Sequence, residues 1–210
     1  MLLTTRQESA KTTTRGDGAP RMPSPGLEWL WQQLRDVPRP HILDCGPVYQ
    51  ATVNVLLRRG AKLYVADLVS PVQRGNPKYW NRRGKVPIFL TDEFLAQIPK
   101  IPAGSLAAVF CCHLLDLIPP DSVPPVVERL FSFLQSGGVL FCLLRQPYLP
   151  AGAEVAFWLE SLTDLATGQE RKKSFPYPVV TNREMERLFP PGSVKIFLTR
   201  SGWREVVALK

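Results

Sequence analysis

The sequence lacks any apolar run long enough to cross a membrane as a helix, which needs roughly 18 residues. Only Met1-Leu2-Leu3 precedes the first polar stretch, and this does not predict a secretory signal. We therefore expect a cytoplasmic protein without a membrane partner. No C-x-x-C pair occurs, so no metal site is predicted. Buried, reduced thiols are expected at Cys45, Cys111, Cys112 and Cys142.

Acidic residues are scarcer than basic ones: 18 aspartates and glutamates stand against 26 lysines and arginines, for a formal net charge of +8. This balance favours an anionic partner without deciding between a small molecule and nucleic acid. Histidine is rarer still, with only His41 and His113. A hydrophobic content of 45% over 210 residues is sufficient for the core of one domain.

Two regions differ in composition. Residues 1–25 are rich in Thr, Arg, Gly, Pro and Ser without hydrophobic periodicity, so a disordered tail is expected there. Residues 26–210 are predicted to form the single folded domain. Its first helix is expected to cover Leu27 to Leu34, because Ser24-Pro25 supplies an N-cap and a first-turn proline.

Short apolar runs alternate with amphipathic ones through the domain, which is typical of βαβ units around a parallel sheet. The predicted parallel strands are His41–Cys45, Ala61–Ala66, Pro87–Leu90, Leu106–Cys112 and Val139–Leu144. A helix is expected over 155–162, where Val155, Trp158, Leu159 and Leu162 share one side. Two alternating runs, Val194–Leu198 and Trp203–Leu209, predict a C-terminal β-hairpin.

A glycine turn follows the first predicted strand, and Asp67 ends the second strand about 20 residues further on. Gly46 lets the backbone approach a ligand, and the Asp67 carboxylate can accept hydrogen bonds from two ribose hydroxyls. A dinucleotide fingerprint needs two further glycines, where Val48 and Gln50 stand instead. The pattern predicts a ligand with a nucleoside but no pyrophosphate, and it disfavours an NAD-dependent oxidoreductase.

Four motifs, in this order, resemble those of the class I S-adenosylmethionine-dependent methyltransferases over residues 27–210. They are Leu43-Asp-Cys-Gly46, Asp67, the segment 108–120 around the fourth strand, and Leu134-Gln-Ser-Gly-Gly-Val-Leu140 before the fifth. The resemblance implies an α/β fold, namely a Rossmann-like three-layer αβα sandwich. Its mostly parallel, seven-stranded sheet would carry the C-terminal antiparallel hairpin, and its cofactor would be S-adenosyl-L-methionine.

The same resemblance implies roles for individual residues. Cofactor-binding residues would be Asp44, Gly46, Asp67, Asp92, Cys112 and His113. Asp44 would lie near the amino acid part of the cofactor, Asp67 on the ribose and Asp92 on the adenine. Simpler interpretations also exist, because Asp44 can be a turn former, Asp67 a helix cap and Asp92 part of a helix start.

Methyl transfer from a sulfonium needs chiefly alignment in a pocket that excludes water. A general base is required only where the acceptor still carries its proton, and His113 is the candidate, with a packed imidazole as the alternative. Asp116 is expected to be a solvated carboxylate. The acid-free run 69–86 supplies Trp80, Arg82 and Arg83 as candidate substrate contacts, with aromatics packed on the sheet as the alternative.

The function predicted from the sequence is methyl transfer from S-adenosylmethionine to an unidentified acceptor. A small molecule is favoured over nucleic acid. The alternative is a catalytically silent Rossmann-like module that binds a partner through its basic surface.

Overall fold

The structure is a computed structural model that describes residues 21–81, 87–147, 155–169, 177–200 and 202–210. The helices in these residues are α1 (Pro25–Gln33), α2 (Gln50–Arg58), α3 (Val69–Gln73), α4 (Thr91–Leu95), α5 (Leu114–Leu117), α6 (Val123–Ser132) and α7 (Asn182–Arg187). The strands are β1 (Arg21–Pro23), β2 (His41–Asp44), β3 (Lys62–Val65), β4 (Trp80–Asn81), β5 (Ile88–Phe89), β6 (Leu106–Cys112), β7 (Leu134–Arg145), β8 (Val155–Leu159), β9 (Asp164–Gln169), β10 (Val194–Leu198) and β11 (Trp203–Leu209). Among these helices, none is long and apolar enough to span a bilayer.

The main sheet in the described residues has six strands in the order β10-β11-β7-β6-β2-β3. The four strands from β7 to β3 are parallel to one another. β11 runs antiparallel to β7, and β10 pairs antiparallel with β11 over the two runs predicted as a hairpin. The protein therefore has an α/β fold built on a mixed sheet.

Helices cover both faces of this sheet. The first turn of α1 lies on the face that carries Glu205, whose Oε2 accepts a hydrogen bond from the Gly26 N–H at 2.6 Å. Arg204, the preceding residue of β11, points to the opposite face and donates to Asn182 of α7. β6 and β7 are accordingly buried over most of their length, as near-continuous apolar strands should be.

The beginning of the domain confirms one prediction and corrects another. Ser24 is the N-cap of α1, with its Oγ accepting from the Leu27 N–H at 3.1 Å, and Pro25 is the first helical residue. Residues 21–23, predicted to belong to the disordered tail, instead form β1 and pair with 164–166 of β9. Residues 1–20 of that predicted tail lie outside the described part of the chain.

The predicted third strand is not part of the main sheet, so the expectation of seven strands is corrected to six in the described residues. Ile88 and Phe89 pair with β4 in a separate two-stranded ribbon. The Phe89 ring is buried against Tyr79 and Phe94, at ring-centroid distances of 6.5 and 5.5 Å. β5 therefore packs through these aromatic contacts and does not pair with β3.

The helix predicted over 155–162 is wrong: β8 and β9 form an antiparallel hairpin. The turn is closed by the Ser161 hydroxyl, which accepts from the Asp164 N–H at 3.0 Å. Across the hairpin, Gly168 leaves room for the Trp158 indole, since a Cβ there would lie 2.9 Å from the ring. Together β1, β9 and β8 form a three-stranded sheet, which we call the cover.

A substitution at Gly26 tests how closely α1 packs against the main sheet. In Gly26→Ala the added methyl would lie 2.7 Å from Glu205 Oε2 and 3.1 Å from the Phe141 ring. We expect the free energy of unfolding to fall by about 1–3 kcal/mol, because the added methyl would overpack this contact. Urea denaturation measures it. Gln32→Ala, on the exposed side of the same helix, is the control and should change stability by less than about 0.5 kcal/mol. Equal stabilities for the two variants would contradict this close packing of α1 on the sheet.

Candidate functional site

The turn after β2 folds around a buried carboxylate. Asp44, the last residue of β2, is only 7% exposed, and its Oδ1 accepts a hydrogen bond from the Gly46 N–H at 3.0 Å. A Cβ on Gly46 would approach the same oxygen to 3.3 Å, so a larger residue would crowd the turn. The glycine keeps both the turn and the carboxylate accessible from the carboxyl edge of the sheet.

Burial raises the pKa of Asp44 to about 6, against the lowering effect of the Gly46 hydrogen bond. The negative charge of Asp67 raises the pKa of Asp44 further. Two acidic residues at the ends of neighbouring parallel strands therefore influence each other. A ligand cation between them would relieve the repulsion and favour the ionised form of Asp44.

Asp67 is half-buried at the beginning of α3. Its Oδ1 accepts from the Ser70 N–H at 2.8 Å, so the helix-cap interpretation describes one of its contacts. A carboxylate has two oxygens and about four acceptor positions, so capping and ligand binding are compatible.

His113 follows β6 with a left-handed backbone, at a φ of 62°. This conformation costs a non-glycine residue about 1–2 kcal/mol, and such strain is concentrated at functional sites. Its N–H donates to the Leu143 carbonyl at 2.9 Å. The buried imidazole contacts Phe157 and Trp203, at centroid distances of 5.2 and 4.6 Å.

The prediction that Asp116 is a solvated carboxylate is wrong, because the residue is only 2% exposed. Its Oδ2 accepts from the Arg145 N–H at 3.0 Å, and its Oδ1 lies 4.0 Å from Arg145 Nε. Burial raises the pKa of Asp116 to about 7, while the two charged neighbours Arg145 and Arg204 act in the opposite direction. Asp116 therefore belongs to the interior behind the site.

One cavity brings the predicted residues of the β2 and β6 ends together. Its volume is about 30 Å³. It is lined by Asp44, Gly46, Pro47, Tyr49, Thr52, Phe110, Cys112, His113, Phe157, Trp158, Leu159 and Leu165. Four members of this set, Phe157, Trp158, Leu159 and Leu165, were not predicted, because they belong to β8 and β9 of the cover. No group of three metal-ligating side chains occurs in the described residues.

The cover fills most of the space above the turn. The Leu159 N–H donates to Thr52 Oγ1 at 3.0 Å, and the Trp158 ring lies 5.7 Å from that of Tyr49. A volume of 30 Å³ holds one or two waters, whereas sites for cofactors and drug-sized ligands measure roughly 300–1,000 Å³. The cavity as it stands is too small for a nucleoside, and we expect β8, which closes it, to move when such a ligand binds.

The two residues that replace the missing glycines leave the cavity clear. Val48 is 58% exposed, and Gln50 donates through its side chain to Asn54 on the surface of α2. Neither residue lines the cavity. The departure from the dinucleotide pattern thus does not obstruct a ligand that has no phosphate to place there.

Other predicted residues, Asp67 among them, do not line this cavity. Asp92 is exposed in the first turn of α4 and lines a separate surface depression with residues 89–93. Trp80 packs edge-on against Phe89 within the separate ribbon, at a ring-centroid distance of 5.1 Å. Arg82 and Arg83 lie outside the described residues.

Solved structures of S-adenosylmethionine-dependent methyltransferases resemble this chain. One from Clostridium acetobutylicum ATCC 824 has a TM-score of 0.50 and 10% identity, covering 87% of this chain and 89% of that one. The 1,6-didemethyltoxoflavin-N1-methyltransferase of Burkholderia thailandensis, solved with 1,6-didemethyltoxoflavin and S-adenosylhomocysteine, has a TM-score of 0.49 and 14% identity over 89% of this chain and 76% of that one. Magnesium protoporphyrin IX methyltransferase of Synechocystis PCC 6803, solved with bound S-adenosylmethionine, has a TM-score of 0.46 and 16% identity over 88% and 76%.

No protein-family model matches the chain. No curated protein matches it by sequence. The likeness to solved structures shows the fold alone: the chain has the Rossmann-like α/β fold of the class I S-adenosylmethionine-dependent methyltransferases.

The contact between Thr52 and the cover can be tested directly. Thr52→Val keeps the side-chain shape but removes the acceptor of the Leu159 N–H. The loss of this hydrogen bond should lower the local stability of β8 by about 1 kcal/mol. We expect the Leu159 amide hydrogen to exchange about fivefold faster, as measured by nuclear magnetic resonance. Thr91→Val, which removes a hydroxyl contact with Ser122, is the control and should leave this rate unchanged. An unaltered Leu159 rate in Thr52→Val would contradict the contact.

Proposed function

We propose that the protein is an S-adenosylmethionine-dependent methyltransferase that acts on a small-molecule acceptor. The observation that carries the proposal is the buried Asp44 carboxylate, folded against the Gly46 turn and electrostatically coupled to Asp67. These groups lie at the carboxyl ends of adjacent parallel strands, where sheets of this kind bind their ligands. The fold of the chain supports the same assignment.

The residues present suit this cofactor in their chemistry. Asp44 lines the cavity and offers an acceptor for an ammonium group, and Gly46 leaves the turn open to the ligand. Asp67, which follows β3 outside the cavity lining, offers an acceptor for ribose hydroxyls. In the proposal Asp44 holds the amino acid part, Asp67 holds the ribose, and the main chain at Cys112 and His113 borders the methionine end. Asp92 is omitted, because it faces a different depression.

When bound, S-adenosylmethionine supplies a methyl group already activated by its positive sulfur. The chain then has to orient the acceptor and exclude water. Phe157 and Trp203 provide an apolar wall beside His113. Where the acceptor carries a proton, the His113 imidazole beside this wall would be the group that receives it.

Calorimetric titration of the full chain with S-adenosylhomocysteine tests the proposal. We expect saturable binding at one site, and no binding of NADH in a parallel titration, because the turn lacks the glycines that a pyrophosphate needs. Absence of binding at millimolar S-adenosylhomocysteine would overturn the proposal. That outcome would leave the silent binding module as the better description.

Asp67→Ala should weaken the binding of S-adenosylhomocysteine by about 1–3 kcal/mol, because ribose hydroxyls lose their acceptor. The α3 cap is lost as well, since Asp67 accepts from the Ser70 N–H. Asp67→Asn is therefore the matched variant: it keeps an acceptor for the cap and separates folding from binding. Calorimetry and thermal unfolding are measured on both. A folded Asp67→Ala protein with unchanged affinity would remove Asp67 from the site.

The pKa of Asp44, raised to about 6 by burial, predicts a pH dependence of binding. The ionised carboxylate attracts the ligand ammonium, so protons compete with the ligand as the pH falls through about 6. We expect the affinity for S-adenosylhomocysteine to fall about tenfold per pH unit below that value. Titrations between pH 5 and pH 8 measure it. Asp44→Asn should show weaker binding without this slope, and an identical slope in the variant would exclude Asp44 as its origin.

A further inference from the structure

The pairing of β6 with β7 ends at a left-handed residue. The His113 N–H still donates to the Leu143 carbonyl at 2.9 Å, as the parallel ladder requires. The backbone groups of alternate residues point to opposite edges of a strand, so Arg145 is the next residue of β7 that presents an N–H towards β6. The chain leaves the strand before it can accept from this N–H, because His113 has a φ of 62° and a ψ of −8°. The ladder therefore needs another acceptor at Arg145.

Asp116 supplies that acceptor through its side chain. Its Oδ2 accepts from the Arg145 N–H at 3.0 Å. Its own N–H donates to the His113 carbonyl at 3.2 Å, which closes the turn. Residues 113–116 are thus tied to residues 143–145 of β7 at both ends, once through the backbone and once through a carboxylate that is only 2% exposed.

The carboxylate of Asp116 is itself held by groups on β7 and β11. Its Oδ1 lies 4.0 Å from Arg145 Nε, and the charge of Arg204 also favours its ionised form. The two guanidinium groups donate to the carbonyls of Tyr177 and Val180, respectively. The position of the acceptor is therefore fixed by two strands of the main sheet and not by the four-residue helix α5 alone.

His113 needs such a hold from outside the turn. A left-handed backbone costs a non-glycine residue about 1–2 kcal/mol, and it persists only where the surrounding structure determines it. The turn matters to the site because His113 and the preceding Cys112 line the cavity together with Asp44. Relaxation of the turn would move the main chain at 112–113 and the imidazole away from these positions.

We propose that Asp116 is a positioning residue of the candidate site: its carboxylate replaces the strand as the acceptor for β7 and so fixes the left-handed turn that carries His113. This rests on the proposed function, in which the main chain at Cys112 and His113 borders the methionine end of the cofactor. Asp116 does not line the cavity, so it acts only through the turn.

The substitution Asp116→Ala removes the acceptor and has two readouts. The chain has only two histidines, so proton nuclear magnetic resonance can follow the His113 imidazole with His41 as an internal reference. We expect the His113 signal to move and the His41 signal to stay. The affinity for S-adenosylhomocysteine, measured by calorimetry on the full chain, should fall roughly fivefold or more.

Three further variants separate positioning from folding. Asp116→Asn keeps an oxygen that can accept from the Arg145 N–H, so its affinity should stay within about twofold of wild type. Phe133→Leu truncates a buried ring at the opposite end of β7 and is the control for lowered stability. It should lower the unfolding temperature without moving either readout. Asp116→Leu fills the same space and replaces the alanine variant where that one does not fold.

A glycine at position 113 tests the route by which Asp116 acts. Glycine adopts a positive φ without a steric penalty, so the turn in His113→Gly needs no hold from Asp116. Addition of Asp116→Ala to His113→Gly should then change the affinity for S-adenosylhomocysteine by less than about twofold, against roughly fivefold in the wild-type background. Equal losses in the two backgrounds would overturn the inference.

The remaining outcomes are also decisive. An unmoved His113 signal with unchanged affinity in a folded Asp116→Ala protein overturns the positioning role. So does an equal effect of Phe133→Leu, or a loss in Asp116→Asn as large as that in the alanine variant. Failure of the wild-type chain to bind S-adenosylhomocysteine overturns the proposed function separately, because the His113 signal in Asp116→Ala then still decides whether Asp116 fixes the turn.

Discussion

The contact of β8 with the first turn of α2 determines how the site is closed. The Thr52 hydroxyl accepts the Leu159 N–H at 3.0 Å, and the adjacent Trp158 lies on Tyr49. These contacts place apolar side chains of the cover directly above the Asp44 carboxylate, and they leave a cavity of about 30 Å³. Asp44 is buried in this closed arrangement, and its burial raises the pKa of the carboxyl group. Because the cavity is small, we also expect β8 to move when a nucleoside binds.

The cover is held to the domain from its other side as well. β1 pairs with β9, and the chain passes from β1 directly into α1, whose Gly26 N–H is bound by the buried Glu205 carboxylate. Burial raises the pKa of Glu205, and the Gly26 hydrogen bond opposes that effect. β9 is therefore anchored through β1 to the sheet, while β8 contacts the site. Opening is expected to affect β8 more than β9.

Sequence patterns were sufficient for the β2 turn and for the end of β6, because each depends on a short apolar strand followed by a glycine or a polar residue. Asp44, Gly46, Cys112 and His113 meet at one cavity for that reason. The cover could not be predicted in the same way. The spacing of Trp158, Leu159 and Leu162 fits a helix, whereas residues 155–159 form a strand through their pairing with 165–169. The burial of Asp116 likewise depends on a partner distant in sequence, Arg145.

A crystal structure of the full chain grown with S-adenosylhomocysteine would show whether β8 opens over the Asp44 carboxylate. We expect the ligand between the Asp44–Gly46 turn and β8, with the ribose at Asp67 and the hydrogen bond between Thr52 and Leu159 broken. β1 and β9 should keep their pairing. Ligand bound at another place, or an unchanged β8 above a ligand-free Asp44 in a protein that binds S-adenosylhomocysteine in solution, would contradict it.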